Sequence, residues 1–186
     1  MYNNNIMNYI EFDDYWICNN TIIIKFSFNN NIDLIDFNDN IVSLLFTNFN
    51  NIDEAIKNIN NNYSLMCYYS IFNQQINNLP QNLTNIILGY KFNQSVDNLP
   101  QSLQNLTFGY IFNQSVDNLP QSLQNLTFGR NFNRSIKHIL NTNTKIKICD
   151  GYKYYDYYDY HKYKTNYNLE LFNNFSLDNY IIEFIE

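Results

Sequence analysis

The side chains of this 186-residue sequence that offer acid–base, nucleophilic or metal chemistry are few. They are the histidines His138 and His161, the cysteines Cys18, Cys67 and Cys149, and a recurring set of serines and aspartates. A metal ligand or a general base needs partners at fixed spacing. Neither histidine has one, and both sit in polar, weakly patterned stretches, so both are expected on the surface. The cysteines are odd in number and far apart. That fits neither a disulfide framework nor metal-ligand spacing and points to reduced thiols in a cytosolic compartment. Asp97 and Asp117 occupy equivalent positions 20 residues apart, with Asn77 before them and Lys137 after. Paired carboxylates would suit a cation or acid–base site. Solvated turn residues are the simpler reading, with Lys137 relieving a like-charge stack. Ser95, Ser102, Ser115, Ser122 and Ser135 have no base at a matching position, and no Gly-rich phosphate loop is present. The expectation is therefore no catalytic residue, no metal, no cofactor and no enzymatic activity.

What does recur is position. Phe72, Phe92, Phe112 and Phe132 follow one another at intervals of 20, and Phe28 and Phe49 precede them at 21 and 23. A fixed period of that size marks a solenoid in which each repeat is one rung. Within a rung, Leu103, Leu106 and Phe108 make L-x-x-L-x-F, repeated as Leu123, Leu126 and Phe128 and preceded by Leu83, Ile86 and Leu88. Along a strand, Leu106 and Phe108 would face the core while Asn105, Thr107 and Gly109 face out. Phe112, Val116 and Leu119 would anchor the return, and Pro100 and Pro120 fall where no ladder N–H is needed.

The segments F-N-Q-S-V, L-P-Q-S-L and L-T-F-G, from Phe72 to Ile136, resemble FNIP repeats, a short module similar to leucine-rich repeats. The L-P-x-S-L-x-x-L portion is also similar to short-repeat leucine-rich effectors of pathogenic bacteria. The Ile-Pro that usually follows F-N-Q is replaced by Gln75-Ile76, Ser95-Val96, Ser115-Val116 and Ser135-Ile136, which keeps the apolar anchor and drops the proline. The resemblance implies protein–protein interaction and a source among amoebae or the giant viruses that infect them. The family sometimes carries an F-box, for which the lead before the first rung leaves no room. A column of Asn73, Asn93, Asn113 and Asn133 is expected to be structural, bonding buried turn backbone of adjacent coils as in leucine-rich repeats. Gln74, Gln94, Gln114 and Arg134 form an exposed neighbouring column.

The fold expected is thus a leucine-rich-repeat-like repeat solenoid: one curved parallel β-sheet with mostly irregular return segments. A single domain spans 1–186. Residues 1–20 are an irregular N-terminal cap, 21–150 are rungs with the best copies at 72–136, 151–164 are a Tyr-rich insertion, and 165–186 are degenerate C-terminal rungs. Strands are expected at Thr21–Phe26, Ser43–Thr47, Leu65–Tyr69, Asn85–Leu88, Asn105–Phe108, Asn125–Phe128 and Lys145–Cys149, with short ones at Asn168–Phe172 and Tyr180–Phe184. Ile52, Ile56 and Ile59 lie on one helical face, so a short helix is expected near 52–59.

Net charge is −6, which leaves no basic footprint for nucleic acid. No run is apolar enough to span a membrane, and residues 1–10 lack the regions of a signal peptide, so a cytoplasmic location is expected. For a viral protein that would mean host cytoplasm or virion. The outward row Leu45, Cys67, Ile87, Thr107, Thr127, Lys147 grades from apolar to basic, and Gly89, Gly109 and Gly129 beside it are expected to expose a strip of bare backbone before Tyr90, Tyr110 and Arg130. Exposed apolar residues with Tyr and Arg are typical interface anchors. The expected function is a protein-binding module whose partner meets Ile87, Tyr90, Thr107, Tyr110, Thr127, Arg130 and Lys147. The resemblance suggests a host factor or a ubiquitin-system adaptor role. The alternative is a structural, self-associating repeat protein, for example one carried in a virion.

Overall fold

The computed structural model describes residues 9–60 (apart from 33, 34, 36, 39, 48 and 50), 70–136, 144–149 and 182–185. In order they form β1 (Tyr9–Glu11), β2 (Tyr15–Cys18), β3 (Thr21–Ile24), β4 (Ser43–Phe46), α1 (Ile52–Asn60), β5 (Asn85–Ile87), β6 (Asn105–Thr107), β7 (Asn125–Phe128), β8 (Lys145–Cys149) and β9 (Ile182–Ile185). The strands make one sheet in chain order. Every neighbour from β3 to β9 is parallel. This is a leucine-rich-repeat-like solenoid.

The coil around β6 shows why the repeat folds as it does. Leu103, Leu106 and Phe108 are buried on the inner side of the strand. Phe112, Val116 and Leu119 close the return from below, and all six belong to one core. Burying such side chains stabilises by about 1.5–3 kcal/mol each, which is what offsets fixing an otherwise irregular return. The carbonyl of Pro120 then accepts the N–H of Leu123, turning the chain back into the strand, and Pro100 does the same for Leu103. The phenylalanines stack into a column, Phe72 on Phe92 at 6.1 Å, Phe92 on Phe112 at 6.2 Å and Phe112 on Phe132 at 6.2 Å. Phe108 lies flat against Phe112 at 3.8 Å. One aromatic per coil therefore packs both within its coil and between coils.

The first rungs differ from expectation. β4 pairs directly with β5, Ser43 opposite Asn85 and Leu44 opposite Ile86. Phe28 accordingly stacks on Phe72 at 5.7 Å. Phe72 thus follows Phe28 directly in the aromatic column, and Phe49 has no place in it. Phe49 instead packs against a second cluster on the opposite side of the sheet. The strand expected at Leu65–Tyr69 falls outside the described residues, as do the one at Asn168–Phe172 and the Tyr-rich segment 151–164. The last described strand, Ile182–Ile185, overlaps the expected Tyr180–Phe184, with Ile182 opposite Ile146.

From Tyr9 onward, the N-terminal lead is not irregular. β1, β2 and β3 form an antiparallel meander that extends the sheet. The β2–β3 turn is Asn19-Asn20, and Asn19 has a φ of 54°, a left-handed conformation that asparagine tolerates. Tyr15 and Ile17 face the main core, while Trp16 and Cys18 face the other way. There α1 covers them. Its Ile52 and Ala55 pack with Trp16, Cys18 and Ile23, and Asn51 Oδ1 caps the helix by accepting the N–H of Asp53 at 2.9 Å and of Glu54 at 3.2 Å. Asp53 and Glu54 put negative charge in its first turn, which suits the helix dipole.

Candidate functional site

Parallel pairing with zero slip carries each sequence position into a straight row across the sheet. The outward row is Ile23, Leu45, Ile87, Thr107, Thr127, Lys147, Glu183. β4 pairs directly with β5 in this row, and Cys67, expected between them, lies outside the described residues. Ile23 and Leu45 are buried at the end that α1 occupies. Ile87 and Thr107 are half-exposed. Thr127 lies in the same row but is 8% exposed, too little to serve as a contact residue. Lys147 and Arg130 are half-exposed at the far end.

The next row is Ser43, Asn85, Asn105, Asn125, Lys145. Here the side chains join into a ladder. Asn85 Nδ2 donates to Ser43 Oγ at 3.0 Å, Asn105 Nδ2 to Asn85 Oδ1, and Asn125 Nδ2 to Asn105 Oδ1 at 2.6 Å. Identical amides on in-register parallel strands stand one strand spacing apart, close enough for each to donate to the last. The sequence shows the recurrence at 85, 105 and 125 but reading alternation alone misses the ladder. These amides bond one another along half of the outward face, beside the half-exposed Ile87 and Thr107.

Gly89, Gly109 and Gly129 are buried and do not form the bare strip expected. A Cβ at Gly89 would meet Ser70 Cβ at 2.3 Å, and one at Gly109 would meet the Gly89 carbonyl oxygen at 2.1 Å. Close packing of successive coil exits accounts for the glycines, and no partner is needed to explain them. Beyond them Tyr90 and Tyr110 are half-exposed and stack on each other at 5.0 Å, 16° from parallel. Lys91 Nζ stands 5.3 Å over the Tyr90 ring.

The return side binds itself. Asn73 Oδ1 accepts the N–H of Asn93 at 2.8 Å, Asn93 that of Asn113 at 2.8 Å, and Asn113 that of Asn133 at 2.9 Å. The column starts one coil earlier, at Asn29, which accepts the N–H of Asn73 at 2.9 Å. Its members are half-buried to exposed. Ser102 and Ser122 donate to the carbonyls of Leu83 and Leu103, each at 2.6 Å, which gives these serines a coil-to-coil role. Ser95 donates to Asp97 Oδ2 at 2.7 Å and Asn118 Nδ2 donates to Asp97 Oδ1 at 3.0 Å. Those two bonds, the serine's first, hold the Asp97 carboxyl below its ordinary range. Asp97 and Asp117 are exposed turn residues, each capped by a serine of its own coil.

Among the described residues, no three His, Cys, Asp or Glu side chains converge to hold a metal ion. Burial pushes the Cys18 thiol up, away from nucleophilic reactivity. His138, His161, Cys67 and the Cys149 side chain lie outside the described residues. Lys25, nearly buried, pairs with Glu11 at 2.9 Å, donates to the Phe12 carbonyl at 2.7 Å and sits 4.8 Å over the Trp16 ring, pinning β1 to β3. No described helix is long and apolar enough to cross a membrane.

Residues 72–111 and 112–140 match the model of the FNIP Repeat family. No curated protein matches the chain. Among solved structures, the circular leucine-rich-repeat protein CroV588 is similar at 25% identity and a TM-score of 0.32, over 74% of this chain and 28% of that one.

Proposed function

We propose that this FNIP-repeat protein is a non-enzymatic interaction module that binds a protein partner through the outward face of β5 to β8. The observation that carries this reading is an asymmetry of cover. α1 shields the face over β2 and β3, while Ile87, Thr107 and the Tyr90–Tyr110 stack are half-exposed further along. A repeat family of interaction modules and a leucine-rich-repeat-like coil support it. Ile87, Tyr90, Thr107 and Tyr110 are the proposed anchors, with Arg130 and Lys147 at the rim. Tyr and Arg combine large contact area with directed hydrogen bonds and so dominate binding energy in such patches. A cytoplasmic partner, of host or ubiquitin-system origin, is the class the repeat family suggests.

The test is the affinity of a partner that co-purifies from native cells. Tyr110→Ala should weaken it by about 1–3 kcal/mol, whereas Gln114→Ala, on the return side, should leave it unchanged. Because Tyr110 stacks on Tyr90, the same variant should also lose about 0.5–1.5 kcal/mol of stability, so affinity is measured well below its melting temperature. A partner that responds to Gln114→Ala and ignores Tyr110→Ala binds the return side, and the proposed face is then wrong.

A further inference from the structure

β1 is the outermost strand at the N-terminal end of the sheet. Exposed large apolar side chains concentrate on it. Among the described residues they are Ile10 at 60%, Tyr9 at 42%, Phe12 at 40% and, away from this edge, Ile71 at 39%. Ile10 stands opposite Ile17, and Phe12 stacks on Tyr15 at 4.5 Å and 12°. Tyr15 and Ile17 belong to or pack on the main core. Ile10 and Phe12 therefore carry the core face of the sheet past its last covered strand.

The backbone of this edge has a definite pattern. Phe12 N–H donates to the Tyr15 carbonyl at 2.9 Å, which makes 12 and 15 a hydrogen-bonded pair. Alternation along an antiparallel ladder makes Ile10 and Ile17 the next such pair, so the N–H and C=O of Tyr9 and Glu11 point away from β2. Edges are usually guarded by Lys, Pro or a free charge. β1 has neither Lys nor Pro, and its one charge, Glu11, is neutralised within the chain by Lys25 at 2.9 Å. The opposite edge strand, β9, has a glutamate, Glu183, within its sequence.

We propose that β1 is a self-pairing edge, through which two copies of this chain join antiparallel about a two-fold axis at Ile10. The register is fixed by the outward-pointing groups. Tyr9 exchanges both backbone hydrogen bonds with Glu11 of the partner subunit, and Glu11 with Tyr9 of the partner subunit. Ile10 then faces the partner's Ile10 in a non-hydrogen-bonded pair, where Cα atoms stand about 4.5 Å apart and side chains are closest. The axis is perpendicular to the sheet, so both core faces lie on one side and Ile10 and Phe12 continue one core into the next. An isologous contact of this kind closes at two copies. Pairing β1 to β9 instead would be heterologous and leave open ends.

The test is sedimentation of the full chain from low to high micromolar concentration, with two substitutions. The wild type should approach twice the 22.4 kDa chain mass. Ile10→Lys places two ammonium groups directly opposite and should weaken the dimer at least about tenfold. Ile10→Cys puts two thiols at a Cα separation of about 4.5 Å, inside the disulfide range, so mild oxidation should lock the dimer. Tyr9→Cys, displaced from the axis, should cross-link no more than the unsubstituted chain with its own Cys18, Cys67 and Cys149. A wild type that stays monomeric at the highest concentration overturns the proposal. So does a dimer indifferent to Ile10→Lys, or cross-linking equal at positions 9 and 10. If Ile10→Lys fails to fold by circular dichroism, the cross-linking pair decides.

Discussion

A Cβ on Gly109 would stand 2.1 Å from the carbonyl oxygen of Gly89, and one on Gly129 would stand 2.1 Å from that of Gly109. None of these glycines adopts a left-handed backbone. Contact between coils, and not conformational freedom, sets their identity. The coil exits touch backbone to backbone, which draws Tyr90 and Tyr110 close enough to stack.

Gly109→Ala should therefore destabilise the protein. The methyl group meets backbone, which cannot swing aside as a side-chain tip would, and overpacking of this kind costs about 1–3 kcal/mol. Urea unfolding measures it. A midpoint equal to wild type would mean that the coils separate without cost at this point.

Leu106 and Thr107 are adjacent and differ in what they meet. Leu106 is 1% exposed in the middle of the core, between Ile86 and Leu126. Leu106→Ala should cost about 2–5 kcal/mol. Thr107 faces out, half-exposed, and Thr107→Ala should cost about 0.5 kcal/mol or less. Equal losses in chemical denaturation would contradict the register of β6.

Asn93 offers a test of the return side. Its Oδ1 accepts the N–H of Asn113 at 2.8 Å from the next coil. Asn93→Ala leaves that half-buried N–H without its acceptor, for a loss of about 1–3 kcal/mol. Asn93→Asp keeps an acceptor and should recover most of it. If both variants lose equally, the asparagine matters for its turn conformation and not for this bond.

How much of this was legible follows from where the repeat is strict. From Phe72 to Ile136 each coil copies the last, so phase, strand and core positions read directly from spacing. Phe49-Asn50 misled because Phe-Asn is only two letters. The residue type that starts a coil at Phe72 packs, at Phe49, against the cluster of Trp16 and α1 on the other face. β2 was hidden for a different reason. Tyr15-Trp16-Ile17-Cys18 has core on one side and α1 on the other, so it shows no alternation. The Asn19-Asn20 turn was the available signal for that hairpin. The Asn85–Asn105–Asn125 ladder needed the fact that the strands are parallel with zero slip, since only then do equal positions meet.

Acid should act on the turn ladder through Asp97. The Ser95 hydroxyl donates to its carboxylate at 2.7 Å while accepting the backbone N–H of Asp97 itself at 3.2 Å, and Asn118 donates from the next coil at 3.0 Å. All the donors on the carboxylate prefer its charged form, and the Asp97 pKa is lowered in the folded chain. The folded state then binds the proton less readily than the unfolded state does. The stabilisation this confers is present in full above the ordinary aspartate value of about 3.9 and is lost as pH falls through the lower folded value. Asp97→Asn cannot titrate, so it lacks this stabilisation at every pH. The gap in melting temperature between wild type and Asp97→Asn should thus be widest near neutrality and should close as the buffer is taken down through that range. Melting curves of the two proteins at matched ionic strength measure the gap directly. Curves that run parallel into acid would show that Ser95 and Asn118 hold the charged and neutral carboxyl equally, and that the coil-to-coil bond from Asn118 does not depend on charge.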